Sequence, residues 1–302
     1  MEDRRDPSIE LDSEYSCSSK VGCGSMHVMC QYPSPGPSEN CRGYVEIPIT
    51  EDDILMVIHY FNFRRNLVAG GKEYKLPSAS DMMMVEWDER LAAFAQRWAD
   101  QCIYDPYIFR DDTLLKSAND VCRDLPDFDI AQVSTRIHGF NFTGASVEST
   151  LHLLINMISS DLFNVTTHVV LSGYAPEEDY GAVALHSKAY LIGCGVASYL
   201  LDLNTDGHRM SVIYCNIGPL NGMFLLDRYY KHGEPCSDCP SGTSCHPNSY
   251  FQFLCQRDNS LDNPKEVMYS RKTHSSANDL WPSGYFLLEL EVTLIYILMR
   301  YV

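Results

Sequence analysis

Tyr190-Leu-Ile-Gly-Cys194-Gly-Val-Ala-Ser-Tyr199 and Val212-Ile-Tyr-Cys215-Asn-Ile-Gly-Pro219 decide how this chain is read. Both runs are rich in Ile, Val and Tyr, and an Asn-Thr-Asp-Gly turn (Asn204 to Gly207) lies between them. β-Branched and aromatic residues on either side of a turn signal describe a hairpin of buried strands. Each run carries one cysteine near its centre. A Cys194–Cys215 bond would staple the strands, contributing about 3 kcal/mol by loop-closure entropy if unstrained. Downstream, Gly233-Glu-Pro-Cys236-Ser-Asp-Cys239-Pro-Ser-Gly-Thr-Ser-Cys245 and Cys255 add four more cysteines. The pattern is that of a secreted, disulfide-framed domain.

Composition supports that compartment. The chain has 302 residues, enough to bury a large core in one or two domains. Its formal net charge of −17 makes nucleic acid and anionic membrane surfaces poor partners. Twelve cysteines at short spacings suit an oxidising environment. Asn141-Phe-Thr143 and Asn164-Val-Thr166 are acceptor sequons, so Asn141 and Asn164 are candidate glycosylation sites. Met1-Glu-Asp-Arg-Arg-Asp-Pro lacks the apolar stretch of a signal peptide, for which a missing or misjoined first segment is the preferred explanation. Tyr285 to Val302 is apolar but interrupted by Glu289, Glu291 and Arg300, too short and too charged for a membrane span. It loosely resembles a lipid-anchor signal after Ser275-Ser-Ala277, but an irregular tail is the preferred reading and membrane anchoring is not expected.

Residues 1–16 are polar and acidic, with disorder expected. Cys17, Cys23, Cys30 and Cys41 follow in a Pro- and Gly-rich arm whose order is expected to come from disulfides. Thr50-Glu-Asp-Asp53 opens a helix with a capping-box pattern, Ile54, Val57, Phe61 and Val68 give it an apolar face, and Gly70-Gly71 ends it. Asp88 caps a second helix carrying Leu91, Ala95, Trp98 and Cys102 on one face. A third is expected over 147–159, with Leu151, Leu154, Ile155 and Ile158 inward.

Phe61-Asn62-Phe-Arg-Arg65-Asn-Leu-Val68-Ala69-Gly-Gly71 resembles the opening motif of the CAP superfamily (cysteine-rich secretory proteins, antigen 5, pathogenesis-related 1). Leu76-Pro-Ser-Ala-Ser-Asp-Met82, Glu86-Trp-Asp88-Glu-Arg-Leu91 and Ala95-Gln-Arg-Trp98-Ala-Asp-Gln-Cys102 are similar to its second signature. The two strand motifs quoted above resemble its paired strands, and the four-cysteine arm resembles arthropod antigen 5 and venom-allergen members. The resemblance covers about residues 17 to 255. It implies an α+β fold: a three-layer α/β/α sandwich with a disulfide-rich arm (1–45), the sandwich domain (46–222), a hinge-like cysteine-rich extension (223–256) and an uncertain tail (257–302). It also implies the pairs Cys17–Cys30, Cys41–Cys102 and Cys194–Cys215. In the family Cys23 joins a cysteine soon after Cys102; Phe109 stands there, and Cys122 is the nearest substitute. Cys236, Cys239, Cys245 and Cys255 remain for a C-terminal knot.

Many members of that family hold a divalent metal with two His and two Glu around a central cleft. The equivalent positions here are Pro106, Asn119, Phe163 and Tyr180, with His186 where the family has Trp. Proline offers no ligand atom and neutral tyrosine binds zinc poorly, so neither a family-type metal nor another cofactor is expected. His138, His152, His168 and His186 could regroup in space, although isolated histidines more often serve packing or face solvent. Cys236-x-x-Cys239 with Cys245 and Cys255 has zinc-like spacing, but in an oxidising compartment disulfides are the better reading. A thioredoxin-like pair lacks its βαβ context. No Gly-x-Ser-x-Gly or phosphate-binding loop occurs.

The resulting expectation is a secreted, non-catalytic binding protein. Its partner would be a lipid, sterol or small amphiphile, or a protein receptor; Tyr229-Tyr230 and Tyr250-Phe251 could supply contacts if exposed, although ordinary core and loop packing is the preferred reading for them. The alternatives are a peptidase-like hydrolase, which would need His186, Glu148 and a serine to cluster, and a decayed paralogue without ligand.

Overall fold

The structure, a computed structural model, describes residues 17, 23–39, 41–73, 76–103, 122–140, 150–155, 181–201, 208–220 and 229–257; side-chain positions are further limited to residues outside 138–140, 181–182 and 208. The chain divides into two compact units, Met1–Pro247 with Phe251–Gln256, and Asn248–Tyr250 with Arg257–Val302. In the second, the described residues include Tyr250, half of whose surface is exposed.

The first unit is built on four strands: β1 (Glu86–Trp87), β2 (Ala131–Phe140), β3 (Leu191–Leu200) and β4 (His208–Gly218). Their order is β1-β3-β4-β2, with β1 parallel to β3 and the other pairs antiparallel. β3 and β4 form the expected hairpin, and Cys194 pairs directly with Cys215, which is where a cross-strand disulfide can close. β2, unassigned in the sequence, lines the outer side of β4 from Ala131↔Ile217 to Phe140↔His208.

Alternation along the central strands sorts the two faces. Ile192, Cys194 and Val196 of β3, with Ile213, Cys215 and Ile217 of β4, join one core. Val57 and Phe61 of helix α2 (Glu51–Ala69) and Leu151, Leu154 and Ile155 of the helical residues 150–155 complete it. Ala197 and Tyr199 of β3, with Met210, Val212 and Tyr214 of β4, join a second core with Leu91, Phe94, Ala95 and Trp98 of helix α3 (Glu89–Ala99). Helices therefore cover both faces of the sheet, the layering of an α/β/α sandwich.

Both long helices start where their caps predict. The Thr50 hydroxyl accepts from Asp53 N–H at 3.3 Å, and Asp53 accepts from Thr50 N–H at 2.8 Å, a complete capping box. Asp88 Oδ1 accepts from the N–H groups of Arg90 and Leu91 at 2.9 and 3.1 Å.

The N-terminal arm is held by Cys17–Cys30, Cys23–Cys122 and Cys41–Cys102. Disulfides are not its whole support, contrary to the sequence expectation. Short helix α1 (Val28–Gln31) buries Val28 completely in the α3 core, and Val28 N–H donates to Cys122 O at 2.8 Å.

The cysteine-rich segment is annealed to the sandwich. Cys255 N–H donates to Met82 O at 2.8 Å and Met84 N–H to Cys255 O at 2.9 Å, so Cys255 sits as a strand partner beside the 82–84 segment. Ser80 N–H donates to Lys231 O at 2.9 Å. Tyr229, Tyr230, Phe251 and Leu254 fill a third core with Val68, Ala69, Met82, Met84 and Leu185. Tyr229, Tyr230 and Phe251 therefore follow the preferred expectation of core packing and are not surface contacts: their apolar rings gain more from this core than from water, and all three are buried. Lys231 and Asp238 form an ion pair in which both side chains stay more than half exposed. Solvent screens such pairs, so Lys231→Ala is expected to leave the denaturant midpoint unmoved.

Candidate functional site

The densest polar constellation among the described residues is built from the inner face of α2. Asn62 and Arg65 fall on that face with Phe61, Val68 and Ala69, and both are fully buried. A buried polar side chain must find partners, and here the partners are backbone. The Asn62 amide donates to Val85 O at 2.9 Å and accepts from Val85 N–H at 2.8 Å, imitating a neighbouring strand. The Arg65 guanidinium donates to Met83 O (2.8 and 2.9 Å), Ala184 O (2.6 Å), His186 O (3.1 Å), Ser187 O (3.4 Å) and Ala189 O (3.0 Å). Burial works against its charge, and the nearby Asp81 carboxylate works for it. Asp81 in turn accepts from Ser187 Oγ–H at 2.8 Å and from Lys231 N–H at 2.9 Å. The network ties α2, the 81–85 segment, residues 184–189 and the start of the cysteine-rich segment into one body.

On the other face of the sheet, side-chain amides serve similarly. Gln96 Nε2 donates to Val196 O at 3.0 Å and its Oε1 accepts from Val196 N–H at 2.9 Å. Asn216 Nδ2 donates to Leu91 O at 2.9 Å. These groups clamp α3 to the sheet. The backbone bonds of Asn62, Arg65, Gln96 and Asn216 are structural chemistry, holding helices to the sheet and to neighbouring segments.

The histidines have separate partners. His186 is buried with its ring edge-on to Tyr229, 6.5 Å between centroids. His152 Nε2 lies 3.3 Å from Asp53 Oδ1 at the start of α2. The side chain of His138, and all of His168 and Glu148, lie outside the described positions, so the His186–Glu148–serine cluster has only His186 placed. Sequence reasoning passed over two other histidines. His27 caps α1, its Nδ1 accepting from Met29 N–H at 3.2 Å, and packs edge-on to Phe94. His59 lies among Tyr60, Phe63 and Phe251.

Burial holds both imidazoles down, to about 4 from an ordinary 6.5. The unfolded chain takes up these protons near pH 6.5, whereas the native state refuses them until about pH 4. Stability present at neutral pH is therefore lost as the pH falls below 6.5. Replacing His59 by Phe, which keeps an aromatic ring in the cluster, is expected to remove roughly 1–2 kcal/mol of the stability loss between pH 7 and 5. Urea unfolding of both proteins at the two pH values checks it; equal losses would dismiss His59 as a contributor.

Pro106, Asn119, Phe163 and Tyr180 lie outside the described residues, as do Asn141 and Asn164. Among the described residues, two groups of metal-capable side chains converge: Cys236, Cys239 and Cys245, and Cys23, Cys122 and Asp124. Their sulfurs are already in disulfides: Cys236–Cys245, Cys239–Cys255 and Cys23–Cys122. A disulfide sulfur is no thiolate ligand, so the fit for zinc is poor at both places.

Venom allergen 5 of Brachyponera chinensis is 29% identical over 209 residues, spanning 67% of this chain and 96% of that protein. Venom allergen 3 homolog of Dinoponera quadriceps is 28% identical over 66% of this chain and 81% of its own length. The chain is similar to antigen 5-like members of the CAP superfamily. No family model matches it. The CRISP/Allergen/PR-1 protein of Trittame loki is 28% identical, and this chain spans 50% of its length. Among solved structures, BmVAL-1 has a TM-score of 0.47 at 20% identity, covering 72% of this chain and 99% of that one. Na-ASP-1 has a TM-score of 0.46 at 19% identity, covering 74% and 51%. Like its venom-allergen relatives, this chain is a secreted, extracellular protein. No helix among its described residues is long and apolar enough to cross a membrane.

Arg65, Gln96 and Asn216 are structural keys of this chain that composition and motif reading left without a role. Their one sequence signal is a polar residue set at an inward position of an otherwise apolar helix or strand pattern, where only a backbone-bonded side chain is tolerated.

Proposed function

We propose that this secreted CAP chain is a non-catalytic binding protein. The reading rests on the motif frame of the resemblance, which sets Pro106, Asn119, Phe163 and Tyr180 at the four family ligand positions. Proline and phenylalanine supply neither a metal ligand nor a proton-transfer group, and hydrolysis needs an activated water or nucleophile beside a base. The fully buried Asn62 and Arg65 support the same reading, because their hydrogen bonds go to backbone. The partner is a lipid, sterol or small amphiphile, or a protein receptor, and the acidic charge favours a neutral or cationic one.

Native mass spectrometry tests this on the protein secreted from a eukaryotic line with a supplied signal peptide. Retained mass in the lipid range without zinc is the result expected of a cargo carrier. A clean mass with six disulfides directs the search to a protein partner. A stoichiometric metal adduct would overturn the reading of the four substituted positions and reopen hydrolysis.

A further inference from the structure

The two disulfides of the cysteine-rich segment interleave in sequence, Cys236–Cys245 across Cys239–Cys255. They are also in contact. Cys239 Sγ and Cys245 Sγ, which are not bonded to each other, are 3.8 Å apart, and the sulfurs of Cys236, Cys239 and Cys245 all lie within 4.8 Å of one another. Exposure divides the pairs: Cys236, Cys239 and Cys245 are half-buried at the surface, whereas Cys255 is fully buried against the 82–84 segment. Cys236 also holds a backbone φ of +66°, the left-handed region that a Cβ disfavours.

We propose that Cys236 is a thiol-exchange site that takes a small thiol, and that Cys245 relays the exchange to Cys239. The thiolate of a small thiol attacks Cys236 Sγ. The Cys236–Cys245 bond breaks, a mixed disulfide forms on Cys236, and Cys245 leaves as a thiolate. That thiolate lies in contact with Cys239 Sγ and attacks it. The Cys239–Cys245 bond forms, Cys239–Cys255 breaks, and Cys255 takes up the proton that the small thiol gave up. Two disulfides and one thiol become a mixed disulfide, one disulfide and one thiol, so no external oxidant or reductant is consumed. Apolar burial favours the protonated form of Cys255, which draws the relay forward. The product leaves Cys255 in its backbone pairing with Met82 and Met84 but frees it from the 236–245 loop. That loop is the part of the segment able to respond to the redox poise of its surroundings.

Limited exposure of the intact secreted protein to reduced glutathione tests the relay. The reaction is acid-quenched, unfolded, alkylated and mapped as disulfide-linked peptides. The expected early product carries glutathione on Cys236, a Cys239–Cys245 bond and an alkylated Cys255, with the buried Cys194–Cys215 bond intact as an internal reference. Opening of Cys236–Cys245 with Cys239–Cys255 preserved at all times would overturn the relay. First opening at any other pair would overturn the exchange site itself. Neither outcome depends on whether the chain binds a lipid or a protein.

Discussion

Gly195→Ala is expected to cost this fold about 3 kcal/mol or more, the upper end for overpacking a core, and to cut secreted yield sharply. A Cβ at residue 195 would stand 2.2 Å from Gln96 N, 2.4 Å from Gln96 Cα and 2.6 Å from Ala95 C. All three are backbone or helix-axis atoms, which no rotamer change can move. Helix α3 would have to lift off the sheet. Lifting breaks the double hydrogen bond between the Gln96 amide and Val196 and the bond from Asn216 to Leu91 O. It also pulls on the Cys41–Cys102 bond just beyond the helix end. Gly193→Ala meets the same obstacle one turn earlier, 2.2 Å from Ala92 N. Denaturant melts of the purified variants measure the loss. A Gly195→Ala protein within about 1 kcal/mol of the parent would mean that backbone contact does not set the helix–sheet spacing.

That close approach also shows where sequence reading stops. The Gly-Cys-Gly motif is visible in the chain as part of a strand, but the reason for its glycines appears only once α3 lies across them. Local signals were the legible ones: Thr50 and Asp53 announce the start of α2, Asp88 that of α3, and the Asn204 to Gly207 turn the β3–β4 hairpin. Each rests on residues within a few positions of one another. β2 was not legible. Ala-Gln-Val-Ser-Thr-Arg-Ile-His-Gly-Phe is too polar to stand out, and it is extended because β4 supplies a ladder some eighty residues away. Long-range pairing of this kind overrides local preference. For the candidate site, the expectation that Pro106, Asn119, Phe163 and Tyr180 stand at the family ligand positions comes from the motif frame alone. The partners of Arg65 could not be, because residues 184–189 come to it through the tertiary fold and present backbone, which carries no sequence signature.

Arg65→Met is the complementary experiment, removing a buried polar group where Gly195→Ala adds an apolar one. The side chain makes six hydrogen bonds to five backbone carbonyls. Methionine fills much of the space but donates nothing. Replacing a buried ion with an apolar residue can be neutral when its partners are replaced too. Here the partners are backbone carbonyls of Met83, Ala184, His186, Ser187 and Ala189, which no substitution removes, and buried acceptors left unpaired are costly. The favourable charge interaction between the Arg65 guanidinium and the Asp81 carboxylate is also lost. The expected loss is about 3–5 kcal/mol. Arg65→Lys keeps the charge but gathers its donors on one nitrogen, so it cannot reach carbonyls spread around a planar guanidinium and should recover only a minority of the loss. Hydrogen exchange separates this from general destabilisation. Residues 184–189 and 83–85 should lose protection before the β3–β4 hairpin does, because Arg65 and Asn62 hold the former and the sheet ladder holds the latter. Uniform loss of protection across the hairpin and residues 184–189 would show that Arg65 supports the whole domain through one cooperative unit and not through this junction.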